Sequence, residues 1–239
     1  MSKENKTACL VIPCFNTGDY LEVCFSGLAL CDHLIDVFIC IDDGSQDNTA
    51  QVLKELKSTY PIILLRHKTN RGYGAAQKTG YAEALRRRFD VAILYHSDGQ
   101  MDPKQIPIFL QKIEEGYDFV SGSRMLAGGM AKGGMPFYKI VGHHVLTWLP
   151  NLLLRTDFKG YGDGYRAYTA TFLRQSEFQR MSDSFTFDTE IFLAAHKLEI
   201  KWDQIPVPTI YKDEISNLKA IRYGLGILLV SGRYLLRRT

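Results

Sequence analysis

Five residues, His96-Ser97-Asp98-Gly99-Gln100, place an imidazole, a carboxylate and an amide directly after the apolar run Val91 to Leu94. The glycine marks a turn, so these groups stand on a loop at the exit of a buried strand. Many enzymes hold a metal at such a place between two aspartates; here a histidine fills the first acidic position. Other short apolar runs end in the same way. Pro13-Cys14-Phe15-Asn16 closes the first, Asp42-Asp43-Gly44-Ser45 the second, and Asn70-Arg71-Gly72-Tyr73-Gly74 the third. Asp-Gly and Asn-x-Gly are ordinary turn chemistry, so one cluster alone says little. Four in register say more, because ligands of open parallel sheets bind beyond the carboxyl ends of the strands.

The elements that must carry these loops are legible from periodicity. Cys9 to Ile12, Val37 to Ile41, Ile62 to Leu65, Val91 to Leu94 and Phe119 to Val120 read as strands. Leu21 to Leu30, Thr49 to Tyr60, Ala75 to Arg88 and Ile106 to Glu115 read as helices, with Asp47 and Asn48 as N-caps for the second. Such alternation predicts an α/β fold whose mostly parallel, doubly wound sheet is flanked by helices.

The 239 residues are enough for a sizeable core, and a 46% hydrophobic, 23% charged composition is that of an ordinary globular protein. A net charge of +3 leaves no footprint of a nucleic-acid binder. Cys9, Cys14, Cys24, Cys31 and Cys40 are odd in number and contain no C-x-x-C pair, which suggests neither a disulfide framework nor a zinc site; they read as small buried hydrophobes of a reducing cytoplasm. The polar start lacks the apolar core of a signal peptide, and no stretch approaches the ~20 apolar residues of a membrane span. A cytoplasmic protein is expected, with contact at the membrane surface left open.

Two segments raise that question. Pro136 to Leu154 reads as an apolar helix with Phe137, Ile140, Val141, Val145, Trp148, Leu149 and Leu152 near one face; it packs on the protein's own core or lies on a membrane. In the C-terminal helix Leu218, Ile221, Leu225, Leu228 and Leu229 share a face, and Lys219, Arg222, Arg233, Arg237 and Arg238 crowd the last 21 residues. It docks on anionic headgroups, covers the sheet or meets a second subunit. The run from Met125 to Lys139 has four glycines and a proline among fifteen residues and reads as a loop able to close over a site.

Two common nucleotide signatures fail on position. Gly72 and Gly74 follow the third strand, not the first, and Gln77 occupies the next fingerprint position; no G-x-x-x-x-G-K-[ST] occurs. The motifs VIPCFN, DDGSQDNT, NRGYGAAQKTG, SDGQMDP, GSR (Gly122 to Arg124) and GYRAY (Gly164 to Tyr168) instead resemble, in order and spacing, family-2 glycosyltransferases related to dolichyl-phosphate mannose synthases. GGMPFYKIVG, FTFDTEI and IPVPTIYKDEIS extend the likeness toward a subgroup with H-x-D-G-Q in place of D-x-D.

That resemblance implies a single GT-A type domain: a nucleotide-sugar-binding half over 1–124, an acceptor-side half over 125–211 and a basic amphipathic helix over 212–239. It implies an inverting, metal-dependent transfer of a hexose from a GDP- or UDP-linked sugar to a polyprenyl phosphate, with Mg2+ or Mn2+. Pro13, Phe15, Asn16, Asp42, Asp43, Asn70, Gly72, His96, Ser97 and Asp98 would line the donor. Asp98 and Gln100 would face the metal, and Arg124 and Arg166 would lie near the diphosphate and the acceptor phosphate. His96 would hydrogen-bond the donor, ligate the metal directly, or be structural. Asp188 and Glu190 would hold the acceptor, act as a base or cap a helix. Along a strand they would share a face, and along a helix they would diverge. A saccharide hydroxyl acceptor, a non-catalytic nucleotide-sugar binder and a homo-oligomer all stay open.

Overall fold

The computed structural model describes residues 6–126, 135–161, 163–208 and 220–236. Seven strands form one sheet: β1 (Ala8–Cys14), β2 (Val37–Asp42), β3 (Ile62–Arg66), β4 (Val91–Leu94), β5 (Phe119–Ser123), β6 (Arg166–Thr169) and β7 (Trp202–Pro206). Their order is β3-β2-β1-β4-β6-β5-β7. Only β6 runs against the rest: it pairs antiparallel with β4, Leu94 opposite Arg166, and antiparallel with β5, Ser121 opposite Arg166. The five strands expected from apolar runs are present, four within a residue or two at each end and β5 running three residues past Val120. β6 and β7 have too few apolar residues to stand out, and tertiary pairing makes them strands.

The helices are α1 (Gly18–Leu28), α2 (Thr49–Leu56), α3 (Tyr73–Arg86), α4 (Ile106–Glu114), α5 (Phe137–Leu154), α6 (Ala170–Gln175), α7 (Phe187–Lys197) and α8 (Ala220–Leu236). Strand alternation sends Leu10, Ile12, Phe38, Cys40 and Ile93 to one face, against Leu21 and Phe25 of α1, Leu53 of α2 and Phe109 of α4. Val11, Ile39, Ile41, Leu94 and Phe119 face the other way, against Tyr81 of α3, Phe172 of α6 and Phe192 of α7. Each such residue, fully buried, contributes about 1.5–3 kcal/mol of hydrophobic free energy, so both faces of the sheet need their helices. All five cysteines are buried and unpaired within this core, and burial pushes Cys14 up to about 12 and Cys31 to about 11.

Helix starts are organised by loop side chains. Asp47 joins two of them, its carboxylate accepting from the Thr49 amide (3.0 Å) and the Gly18 amide (3.1 Å). Asn48 holds the N-cap position of α2 but makes no side-chain capping bond. Helix α5 exposes Phe137, Val141, Val145, Trp148 and Leu152 and buries Thr147 and Pro150, so these five residues of the expected apolar stripe do not pack on the protein's own core. Helix α8 has one seated and one open side. Gly224 and Gly226 leave room for Leu146 and Thr186, seating one side of the helix on the body, while Leu225, Leu228 and Leu229 stay exposed. No helix among the described residues is long and apolar enough to cross a membrane. The expected closing loop, Ala127 to Gly134, and Leu218 lie outside the described residues.

Candidate functional site

The carboxyl edge of β1, β2, β3 and β4 gathers the four loops. At the end of β2, Asp42 is wholly buried; one oxygen accepts from the Ser45 amide (2.9 Å) and the other lies 3.0 Å from Nε of the half-exposed Arg66. Asn16 follows β1 with φ +52°, its Oδ1 accepting from the Gln46 amide and its own amide donating to Ser45 Oγ. Pro13 and Phe15 are half-buried and Asn70 is exposed at this edge. Asp43 is buried, and both its oxygens are engaged within the protein. Its oxygens accept from the Arg71 and Gly72 amides, both at 2.9 Å, and one lies 2.6 Å from His67 Nδ1. It belongs to the scaffold, tying the loop after β2 to the start of α3. Gly72 sits there at φ +107°, where a Cβ would meet the Asp183 carbonyl at 2.4 Å.

At the exit of β4, Ser97 is also scaffold: it is buried and donates to the Pro13 carbonyl (3.0 Å), pinning β4 to β1. Asp98 is half-buried; Oδ1 accepts from the Gln100 amide (3.0 Å) and Oδ2 lies 4.0 Å from His96 Nδ1. Burial is the main force lowering the His96 pKa, with Arg124 and Arg166 adding to it against Asp98 and Asp188. The imidazole is thus held neutral and able to offer a lone pair. No cluster of three or more His, Cys, Asp or Glu suited to an ion occurs among the described residues. One carboxylate and one amide oxygen do suit a hard ion that takes its remaining ligands from substrate phosphates and water.

Arg124, immediately after β5, donates from Nε to Asp163 Oδ1 (2.6 Å) and from its backbone amide to Oδ2 (3.1 Å). Asp163 is buried. Burial alone would raise its pKa, but Arg124 and His143 outweigh it and hold the carboxyl below its ordinary value. Asp163 escaped the sequence reading, although it stands in the glycine-rich turn just before Gly164-Tyr165-Arg166 and is the nearest acid to that motif. Helix α5 packs on this corner through Thr147, whose hydroxyl meets the Met125 sulfur at 3.6 Å.

The expectation that Arg166 meets a phosphate is corrected. Its side chain is 0% exposed, being in the middle of the sheet. It donates to the carbonyls of Asp163 (3.1 Å) and Tyr161 (2.7 Å), and Nη1 lies 2.9 Å from Asp188 Oδ1. Asp188 also accepts from Gln77 Nε2 (3.2 Å), and Gln77 in turn accepts from Tyr81 (2.8 Å). This buried network joins α3, α7 and β6 to the turn that carries Asp163. Asp188 and Glu190 both fall in the first turn of α7, so they diverge as a helix requires. Both carboxylates have partners: Asp188 faces Arg166, and one oxygen of Glu190 accepts from the Ser182 amide at 2.6 Å. Asp188 is not a cap, since its carboxylate turns into the core.

The family model described as Glycosyl transferase family 2 matches residues 9–181. The chain is 28% identical over 223 residues to the UDP-N-acetylglucosamine--dolichyl-phosphate N-acetylglucosaminyltransferase of Methanococcus voltae, covering 87% of this chain and 88% of that protein. It is 25% identical over 206 residues to the polyprenol monophosphomannose synthase of Mycolicibacterium smegmatis, covering 85% and 77%. Glucosyl-3-phosphoglycerate synthase from Mycobacterium tuberculosis, crystallised with Mn2+, uridine diphosphate and phosphoglyceric acid, superposes with a TM-score of 0.72 at 14% identity, covering 96% of this chain and 78% of that one. That likeness gives the sheet and its helices as the GT-A fold. With the four loops at one edge and the family match across most of its length, the chain belongs to glycosyl transferase family 2 and is a sugar-transferring enzyme.

Proposed function

We propose that the protein moves a hexose, with inversion, from a nucleoside-diphosphate sugar to the phosphate of a polyprenyl lipid at the cytoplasmic face of a membrane. The observation that carries this reading is the commitment of Asp188 and Glu190 to Arg166 and the Ser182 amide. A saccharide hydroxyl needs a carboxylate within reach to take its proton. A phosphate monoester, with a second pKa of about 6, arrives already ionised and needs none. The names of the relatives in Methanococcus voltae and Mycolicibacterium smegmatis point to the same acceptor class.

In this reading Asp42 receives the ribose or base, and Asn16, Phe15 and Asn70 border it. A divalent cation beside Asp98, Gln100 and His96 would neutralise charge on the diphosphate as it leaves. Arg124, aimed by Asp163, meets the same growing charge with its guanidinium. Arg166 and Asp188 position that pair without touching substrate. The lipid would approach over α5 and α8, which show Trp148, Phe137 and Leu229 to solvent and contain no acidic residue, a composition suited to an anionic bilayer.

Incubation with labelled UDP-N-acetylglucosamine, UDP-glucose and GDP-mannose, each with Mn2+ or Mg2+, tests the proposal in two arms. Polyprenyl phosphate should yield a labelled lipid, and saccharide acceptors should yield nothing. Product on saccharides alone, abolished by Glu190→Gln, would replace this reading with a hydroxyl acceptor.

A further inference from the structure

The two ring nitrogens of His96 have different surroundings. Nε2 lies 2.7 Å from the Tyr73 hydroxyl, and the Tyr73 ring meets the imidazole edge-on, with centroids 5.6 Å apart at 79°. Tyr73 is itself stacked on Phe185 at 4.9 Å. The third side is closed by Gly164, where a Cβ would stand 2.4 Å from both Cε1 and Nε2 of His96. The ring is therefore clamped, and Nδ1 is the nitrogen left on the side of Asp98, 4.0 Å from Oδ2. That gap is too wide for a hydrogen bond. Neighbouring ligands of an octahedral ion, with bonds of about 2.1 Å, stand about 3 Å apart, so the one-third-exposed Asp98 side chain has to swing only about 1 Å to share an ion with Nδ1.

We propose that His96 ligates the divalent cation through Nδ1 beside Asp98, that Tyr73 is the positioning residue, and that the nitrogen ligand turns the site from Mg2+ toward first-row transition ions. The inference rests on the metal-dependent transfer proposed above. For Nδ1 to offer its lone pair, the ring proton must sit on Nε2 and be donated to the Tyr73 oxygen, which stands where a ligating histidine usually has a carboxylate, carbonyl or water. Replacing an aspartate by a neutral imidazole removes one charge. Mg2+, which demands oxygen and dehydrates reluctantly, loses most by the exchange. Ions with more affinity for nitrogen lose less, so the order should be Co2+ above Mn2+ above Mg2+.

Pulsed electron paramagnetic resonance of the full chain with Mn2+ and either UDP or GDP reads the ligand directly. A nitrogen coupling should appear, change when the protein carries 15N-histidine, and vanish in His96→Asp. Calorimetry should find Mn2+ bound at least about tenfold more tightly than Mg2+, with the ratio falling in His96→Asp. Tyr73→Phe should weaken Mn2+ uptake about 10–100-fold; unchanged uptake would remove Tyr73 from the assignment. An all-oxygen Mn2+ shell with nucleotide bound would overturn the nitrogen ligand and leave the transfer reading standing. Failure to take up nucleotide with any ion would overturn both.

Discussion

Asp163→Asn isolates the contact that aims Arg124. The aspartate accepts two charge-assisted bonds, at 2.6 and 3.1 Å, and the amide keeps one oxygen to replace both. Breaking a buried ion pair costs about 3–5 kcal/mol. The Arg124 side chain keeps 26% of its exposure, so water takes over part of the lost interaction, and about 2 kcal/mol is the expected loss. For a chain of this size that lowers Tm by about 4–8 °C. A sign follows for pH. Because the folded carboxyl titrates below its ordinary value, the pair stabilises fully above about pH 4 and is lost as pH falls through the folded pKa. The Tm gap between wild type and Asp163→Asn should be widest near neutrality and close in acid. If Arg124 meets leaving-group charge, kcat/KM should also fall about 10–100-fold, equivalent to about 1.4–2.7 kcal/mol of barrier. Scanning calorimetry from pH 3 to 8 alongside steady-state kinetics measures both. Wild-type Tm with wild-type turnover would refute the claim that this pair sets the arginine.

Other perturbations separate scaffold from site. Arg166→Met strands the Asp188 carboxylate in the core and should cost about 3–5 kcal/mol by urea denaturation, whereas Arg166→Met with Asp188→Leu should recover part of that loss. Gly164→Ala, whose Cβ would strike the His96 ring, should leave far-ultraviolet circular dichroism unchanged while weakening Mn2+-dependent nucleotide uptake in calorimetry. Trp148→Glu, at a side chain 62% exposed, should reduce co-sedimentation with anionic vesicles without changing Tm by more than a degree or two. Equal sedimentation of wild type and variant would remove α5 from the membrane contact.

Much of the frame was open to reading in one dimension because its physics is local. The apolar runs of β1 to β4 are continuous, since helices cover both faces of the sheet, and the turn residues that end them are the ones facing the candidate site. What escaped reading depends on distant partners. β6 has only four residues, Arg-Ala-Tyr-Thr, and is a strand because β4 and β5 hold it on either side. Arg166 looked like a phosphate ligand because arginine in a polar motif usually is one. The antiparallel turn of β6 instead carries it to the centre of the sheet, where Asp188, from a helix more than twenty residues on, neutralises it. Asp43 and Ser97 were placed with the donor because they neighbour Asp42 and Asp98. Their partners lie elsewhere in the chain: Asp43 accepts from the Arg71 and Gly72 amides, and Ser97 donates to the Pro13 carbonyl. Asp163 needed the fold: nothing in a glycine-rich turn announces that its acid reaches back 39 residues to Arg124.

The reversed strand has a wider consequence. A group-transfer catalyst must deliver two reactants to one lip, and in an all-parallel array every additional loop at that lip requires another full crossover. Running β6 backwards brings a second stretch of chain, the turn with Asp163 and Gly164, to the same lip through its amino-terminal end. Such wiring ties the segment between β5 and β6 to the loop after β4, since Asp163 holds Arg124 and Gly164 lies against the His96 ring, so exchanging that segment would alter the whole lip at once.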